Sequence, residues 1–217
     1  MPNPLIHDCD YRDPPTIPLQ KTKILIVEGK DECNFFQGLL ENLDIIDNFQ
    51  IFVAYGETQI KAKLKGIQNL SEFPYVTAIG IVRDSDDDPT GKFTSTKSAL
   101  RDLGLPTPDS PYTIVGDSLR CAILMMPDTG ETGALEELCL KSIRGLPEFD
   151  CVGNYFRCLN DFGCDNARKK SKATVSVFLA SKQDHCSIGV AAKKTYWDFN
   201  HPSFDKVKIC LRELFST

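Results

Sequence analysis

Thr77-Ala78-Ile79-Gly80-Ile81-Val82-Arg83-Asp84-Ser85-Asp86-Asp87-Asp88-Pro89 is an apolar, largely β-branched run that ends in four carboxylates within five positions. Pro89 bars a strand from continuing, so the stretch reads as a buried strand that delivers acid to a sheet edge. Asp84 and Asp86 stand two apart, and in an extended chain both side chains point to the same side. Carboxylates converging in this way hold hard cations. A solvated acidic loop is the plainer reading of an Asp-rich run, and the choice turns on whether other acids end neighbouring strands.

Working outward, Ile24-Leu25-Ile26-Val27 is an aliphatic run of the kind covered on both faces of a sheet, and Glu28-Gly29-Lys30-Asp31 ends it. A helix is expected at once, with Asp31 as its N-cap and Phe35, Phe36, Leu39, Leu40 and Leu43 on its apolar side. Residues 49–56 form a second predicted strand, and residues 58–70 a lysine-rich helix with Ile60, Leu64, Ile67 and Leu70 inward. After the opening stretch a helix is expected over 94–103, stopped by Gly104-Leu105-Pro106. Arg120 to Met126 gives a fourth strand ending at Pro127-Asp128, and Gly133 to Leu140 opens another helix. Strands alternating with helices at this interval predict an α/β fold with a mostly parallel central sheet flanked by helices.

The chain divides by charge. From Asp150 to the end there are 11 Lys and Arg against 7 Asp and Glu, a net of +4, which leaves −9 for residues 1–149. The predicted organisation is an extended, proline-rich N-terminal arm (1–20), an α/β domain (21–146) and a mainly helical, basic C-terminal extension packed on it (147–217). Helices are expected over 152–159, 172–182 and 204–215. Arg168, Lys169, Lys170 and Lys172 cluster before the second of these, as a solvated helix start or as a surface facing nucleic-acid phosphates. Tyr196, Trp197 and Phe199 read as a packed terminus rather than a base-stacking platform.

With 217 residues, 41% hydrophobic and 25% charged, the chain has enough material for one sizeable core. A net charge of −5 excludes a strongly basic protein that coats nucleic acid. No apolar run approaches the roughly 18–20 residues of a membrane span, nor do residues 1–20 carry a signal-peptide core, so no membrane association is expected and the location is expected to be cytoplasmic. The nine cysteines include no Cys-x-x-Cys pair and read as reduced, mostly buried thiols. A zinc site from Cys158, Cys164, His185 and Cys186 matches no common ligand spacing.

Three of the four predicted strands end in acid: Glu28, then Asp84 and Asp86, then Asp128, with Glu136 at the start of the next helix. In open parallel α/β sheets ligands collect beyond the carboxyl ends of the strands, and oxygen-only ligands favour magnesium or manganese over zinc. Val27-Glu28-Gly29 after an aliphatic strand, with Asp84-Ser85-Asp86 ending a later one, resembles the Toprim domain of topoisomerases, bacterial primases, recombination-mediator proteins and OLD-family nucleases. The likeness covers about residues 21–143 and extends to small stand-alone Toprim-like proteins. Glu32 and the Gly133-Ala134-Leu135-Glu136 segment are more similar to the OLD-type nucleases than to topoisomerases. The lysine those enzymes often place just ahead of the late glutamate has no counterpart in residues 129–134, and Lys30 is the candidate substitute.

The resemblance implies divalent-metal phosphodiester chemistry, with Mg2+ or Mn2+ as cofactor and a nuclease acting on nucleic acid as the expected function. Asp84 and Asp86 are expected to hold one ion, Glu28, Glu32 and Glu136 to contribute to a second, and Asp128 and Asp88 to stand in reserve; Glu28 is the alternative general base. Asp87 is expected to face solvent. The main alternative is a non-catalytic or regulatory Toprim-like module that binds nucleotide, nucleic acid or a protein partner. A nucleotidyl or phosphoryl transferase acting on a small substrate is a further alternative. A topoisomerase is not expected, because the chain has no room for a separate domain bearing a nucleophilic tyrosine.

Overall fold

The computed structural model describes residues 7–10, 18–45, 49–56, 59–165, 167 and 169–216. Most of the expected N-terminal arm therefore lies outside the described residues. Four aliphatic runs form strands β1 (Lys23–Val27), β2 (Phe49–Val53), β3 (Ala78–Asp84) and β4 (Arg120–Met126). They pair in parallel in the order β2-β1-β3-β4. The expected α/β architecture is thus present, with a parallel sheet, flanking helices and a helical C-terminal segment.

The sheet is buried on both faces, which is why its strands read as continuous apolar runs rather than alternating ones. Leu25, Val27, Ala78 and Val82 face one core, and Ile24, Ile26, Ile79 and Ile81 face the other. The second face is covered by α2 (Ile60–Gln68) and α3 (Pro89–Asp102). The first is covered by α1 (Lys30–Asn42), α4 (Leu135–Ile143) and the C-terminal helices α5 (Pro147–Asp161), α6 (Lys170–Ala180), α7 (Ile188–Lys193) and α8 (Asp205–Phe215).

Several boundaries differ from expectation. The N-cap of α1 is Gly29, in extended conformation, and Asp31 lies inside the first turn, where a carboxylate still complements the helix dipole. β3 ends at Asp84, and Pro89 starts α3, five residues earlier than expected. Its missing N–H is no loss at the first helical position, and Asp88, expected as a reserve ligand, caps the helix by accepting the Gly91 N–H at 2.8 Å. Pro147 opens α5 in the same way.

The C-terminal segment shares one core with the sheet. Gly80 lets α8 approach β3, since a Cβ there would stand 3.2 Å from Leu214 Cδ2 and 2.7 Å from Leu25 Cδ1. Lys23 on β1 donates to the Phe215 carbonyl at 2.6 Å, and Arg120 on β4 donates to the Glu213 carbonyl at 3.1 Å, which satisfies carbonyls at the end of α8. Trp197 is buried, stacks on Phe178 with ring centroids 5.6 Å apart and donates to the Ile188 carbonyl. Phe199 packs edge-on against Phe35.

One expectation is overturned by the cysteines. Cys9, in a short 3-10 turn at Asp8–Asp10, is disulfide-bonded to Cys33 on α1. The turn is set against the sheet edge by His7 Nδ1 and Asp8 Oδ2, which accept the Ile51 and Val53 N–H groups of β2. That contact brings the two Cα atoms to 5.8 Å, within disulfide reach. Of the remaining thiols, Cys121, Cys139 and Cys210 are buried, whereas Cys151, Cys158 and Cys164 are exposed.

Candidate functional site

Strand order reverses between β1 and β3: the chain moves from β1 outward to β2, then returns to the other side of β1. Such a switch point leaves a crevice beyond the carboxyl ends of the two strands. Glu28 follows β1 there, and Asp84 ends β3.

Successive residues on a strand face opposite ways. Asp84 continues the side of Ala78 and Val82, and its Oδ1 accepts the Leu135 N–H at the start of α4 at 3.1 Å. Arg83 continues the side of Ile79 and Ile81 and is buried. Glu28 bridges the strand ends: its Oε1 lies 3.3 Å from Arg83 Nε and accepts the Asp84 N–H at 3.2 Å.

Asp86 takes a left-handed backbone conformation, φ 46°. It exchanges two backbone hydrogen bonds of 2.7 Å with Gly133. Gly133 has φ +119°, and a Cβ there would meet the Glu137 side chain at 2.8 Å. The glycine of the Gly133-to-Glu136 segment is therefore required on two counts. Glu137 folds back to accept the Ala134 N–H at 2.7 Å and also accepts from the Ser171 hydroxyl, which ties α4 to α6.

These elements enclose a cleft of about 380 Å3. Asp84, Asp86, Asp87 and Glu136 line one side, and Lys169, Lys170, Ser171 and Lys172 at the start of α6 line the other. Lys172 Nζ lies 3.4 Å from Glu136 Oε1, and Lys92 holds Asp86 Oδ2 at 3.0 Å. Lys170 pairs with Asp165 and lies 3.8 Å over the Phe156 ring. Glu136, with smaller contributions from Asp84 and Glu32, holds the Lys172 ammonium above its ordinary value against the effect of burial.

Burial, reinforced by Glu32, Glu28, Glu136 and Asp86, pushes the Asp84 carboxyl up to about 8. Burial likewise raises Glu32, with Asp31, Glu28 and Glu136 adding repulsion. The Glu32 carboxylate lies over Gly29, where a Cβ would stand 2.7 Å from Oε2.

Of the residues singled out from the sequence, Glu28, Glu32, Asp84, Asp86 and Glu136 therefore share one electrostatic neighbourhood. Lys30 starts α1 and does not line the cleft. Asp128 stands apart: burial works to raise its carboxyl, but Lys206 on α8 at 2.5 Å and the Thr129 N–H hold it below the ordinary range. Asp87 is exposed as expected, at the cleft rim. Lys169, Lys170 and Lys172 reach the cleft, while Arg168 lies outside the described residues. Arg83, Lys92 and Ser171 were not singled out from the sequence. A charged residue inside an otherwise apolar strand was the available signal for Arg83.

Among the described residues no three His, Cys, Asp or Glu side chains stand together as a ready-made metal-holding group. The donor chemistry nonetheless fits a hard cation. Every carboxylate that raises Asp84 contributes oxygen, and their repulsion is relieved by a proton or by a divalent ion.

A family model described as "Protein of unknown function (DUF3226)" matches residues 22–216. The chain belongs to this family. The match runs through the sheet and the C-terminal helices alike, so the acidic and lysine sides of the cleft fall within one family unit. No curated protein and no solved structure matches the chain. Among the described residues no helix is long and apolar enough to cross a membrane.

Proposed function

We propose that the protein carries out divalent-metal-dependent phosphodiester chemistry, as a Toprim-type nuclease acting on nucleic acid. The observation that carries this reading is the cleft with carboxylates on one side and the lysine-rich start of α6 on the other. Three lysines at a helix amino terminus oppose the helix dipole, so the sequence breaks a local rule there. An anionic ligand at that end would offset the conflict, since backbone N–H groups and lysines then act together.

In this reading Asp84, Asp86 and Glu136 would hold Mg2+ or Mn2+, with Glu28 and Glu32 contributing. When bound, the ion polarises a phosphoryl oxygen and activates water. The chain's own residues do the rest. Lys169 and Lys172 bind and orient the backbone phosphate, and Lys172 crosses the cleft to where negative charge collects in the transition state. In this reading Lys172, supplied by α6 and 3.4 Å from Glu136 Oε1, would take the role of the lysine missing ahead of Glu136. Glu28, held by Arg83 and the Asp84 N–H, ties the β1 and β3 ends together; serving as general base instead of as a ligand, it would take the proton of the attacking water. The Toprim resemblance supports the residue roles.

The test is incubation of plasmid and single-stranded DNA and RNA with the purified protein in Mg2+ or Mn2+, beside Asp84→Ala and Glu136→Gln. Cleavage by the parent and its loss in both variants is expected. No cleavage with either metal, or equal cleavage by all three proteins, overturns the reading.

A second reading, a non-catalytic module that binds nucleotide, nucleic acid or a protein partner, is favoured by one observation. Arg83, Lys92 and Lys172 already pair with Glu28, Asp86 and Glu136. Metal-induced thermal stabilisation without cleavage would favour it.

A further inference from the structure

Helix α5 carries a second apolar row besides the one it buries. Val152 and Phe156 turn inward to the core. Cys151, Tyr155, Cys158 and Phe162, the last being the residue that ends the helix, are exposed, Tyr155 at 48% and Phe162 at 78%. Their successive spacings of 4, 3 and 4 residues are those of a coiled-coil seam, about 16 Å long at the rise of an α-helix. Single exposed apolar side chains are ordinary, but a row of them uninterrupted by charge marks an interaction surface. The two thiols point the same way, because free cysteine is among the most buried residue types. We infer that this face is the interface of a two-fold, antiparallel dimer, its occupant being α5 of a second copy of this chain. The inference does not rest on the nuclease reading.

The pattern is its own complement. A 4-3-4 spacing reads the same in both directions, so every seam position meets a seam position of the second copy across a two-fold axis. Antiparallel pairing sets Tyr155 against Cys158 of the second copy and Phe162 against Cys151, so that each ring fills the space left by a small thiol. Parallel pairing would oppose ring to ring and thiol to thiol, crowding two layers and leaving two hollow.

The polar border agrees. Arg157 donates to Asn154 Oδ1 at 2.8 Å, which leaves the Asn154 amide N–H groups to donate elsewhere. Asp161, seven residues on along the same border, is exposed and holds no cation among the described residues. In the antiparallel arrangement Asn154 of each copy faces Asp161 of the other, a donor against a carboxylate, twice over. On the opposite border Val152 and Leu159 keep the contact apolar.

A seam of this length lies at the low end of specific interfaces, so the dimer is expected to be reversible, in the micromolar range. It lies one helix from the cleft, since Phe156 on the inner side of α5 carries Lys170, which lines the cleft. Pairing through α5 would therefore set two clefts in one assembly.

The experiment is equilibrium sedimentation of the full chain with reductant present, from micromolar to near-millimolar concentration, for the parent, Tyr155→Glu, Phe162→Glu, Asn154→Asp and Asn154→Lys. A concentration-dependent dimer of the parent is expected, weakened about tenfold or more by either glutamate. Asn154→Asp sets carboxylate against carboxylate and is expected to weaken the dimer about two- to fivefold. Asn154→Lys offers an ammonium to Asp161 of the second copy and is expected to tighten it by a similar factor. All three positions are exposed, so thermal midpoints at the lowest concentration should match the parent's, which separates loss of the interface from loss of the fold. A parent that stays monomeric throughout, or a dimer unchanged by both Tyr155→Glu and Phe162→Glu, overturns the inference. Equal affinity in Asn154→Asp and Asn154→Lys overturns the antiparallel pairing.

Discussion

Glu28 Oε1 stands 3.3 Å from the buried Arg83 guanidinium while accepting the Asp84 N–H at 3.2 Å. The first acid of the strand-end set is therefore a structural clamp as well as a candidate ligand. Removing one partner of a largely buried ion pair leaves the other desolvated and uncompensated, at a cost of about 3–5 kcal/mol when burial is complete. The Glu28 side chain is 16% exposed, so Glu28→Ala is expected to lower unfolding free energy by about 2–3 kcal/mol. Urea denaturation measures it. A change under about 0.5 kcal/mol, the size of an ordinary surface substitution, would show that the pair holds nothing.

Asp84 sets a pH dependence whose sign is opposite to that of ordinary acid denaturation. Its folded-state value of about 8 lies above the ordinary 3.8. Between these values the folded state keeps a proton that the unfolded state has released, so stability is full below the lower value and falls as pH rises toward the upper one. Glu32, also raised, adds to the same slope. The metal-free protein is expected to melt lower at pH 8.5 than at pH 5.5, and Asp84→Asn to flatten the profile and melt higher than the parent at the alkaline end. A parent midpoint independent of pH over that range contradicts the raised value.

At Gly133 both backbone and space forbid a side chain. Gly133→Ala is expected to lose about 1–3 kcal/mol from the positive φ. It should also disturb the Asp86 pairing and the Glu137 contact to Ala134, so any metal-dependent activity should fall with it. Equilibrium unfolding together with the cleavage assay tests both. Full stability in the variant would show that the turn relaxes without strain.

Lys172 faces Glu136 across the cleft. If nucleic-acid phosphate is bound there, Lys172→Ala should weaken binding uniformly across sequences and reduce the slope of log affinity against log salt by about 1. Fluorescence anisotropy over a salt series reads this. An unchanged slope would remove Lys172 from the phosphate contact.

The Cys9–Cys33 bond joins residues 24 apart. Closing a loop of that length in the unfolded chain is worth roughly 3 kcal/mol, so reduction or Cys9→Ser should lower stability by about that amount. The Cys9→Ser protein should then be insensitive to reductant. Equal denaturation midpoints with and without reductant in the parent would show that the bond contributes nothing.

The sheet was legible because Ile24 to Val27, Phe49 to Val53, Ala78 to Val82 and Cys121 to Met126 are apolar runs of strand length bounded by acids, glycine and proline. Local chemistry of that kind acts between neighbours in the chain. The same holds for Asp84 and Asp86 at the end of β3, and for Gly133 ahead of α4. Helix starts were legible only in part. Pro89 signals locally only that a strand cannot continue through it, and its place as first residue of α3 depends on the Asp88 cap.

Other features depend on groups far apart in sequence. Arg83 reaches Glu28 because strand order places β3 beside β1, and the Cys9–Cys33 pairing depends on the turn at Asp8 docking on β2. Asp128 leaves the acid set because α8 brings Lys206 to it. Lys172 joins that set because α6 packs beside α4, 36 residues beyond Glu136. By itself the sequence determined which strands form and which acids end them, since period, turn residues and burial are properties of short segments. Only the tertiary structure decided which cation meets each acid, because Coulombic pairing and desolvation follow distance in space rather than separation along the chain.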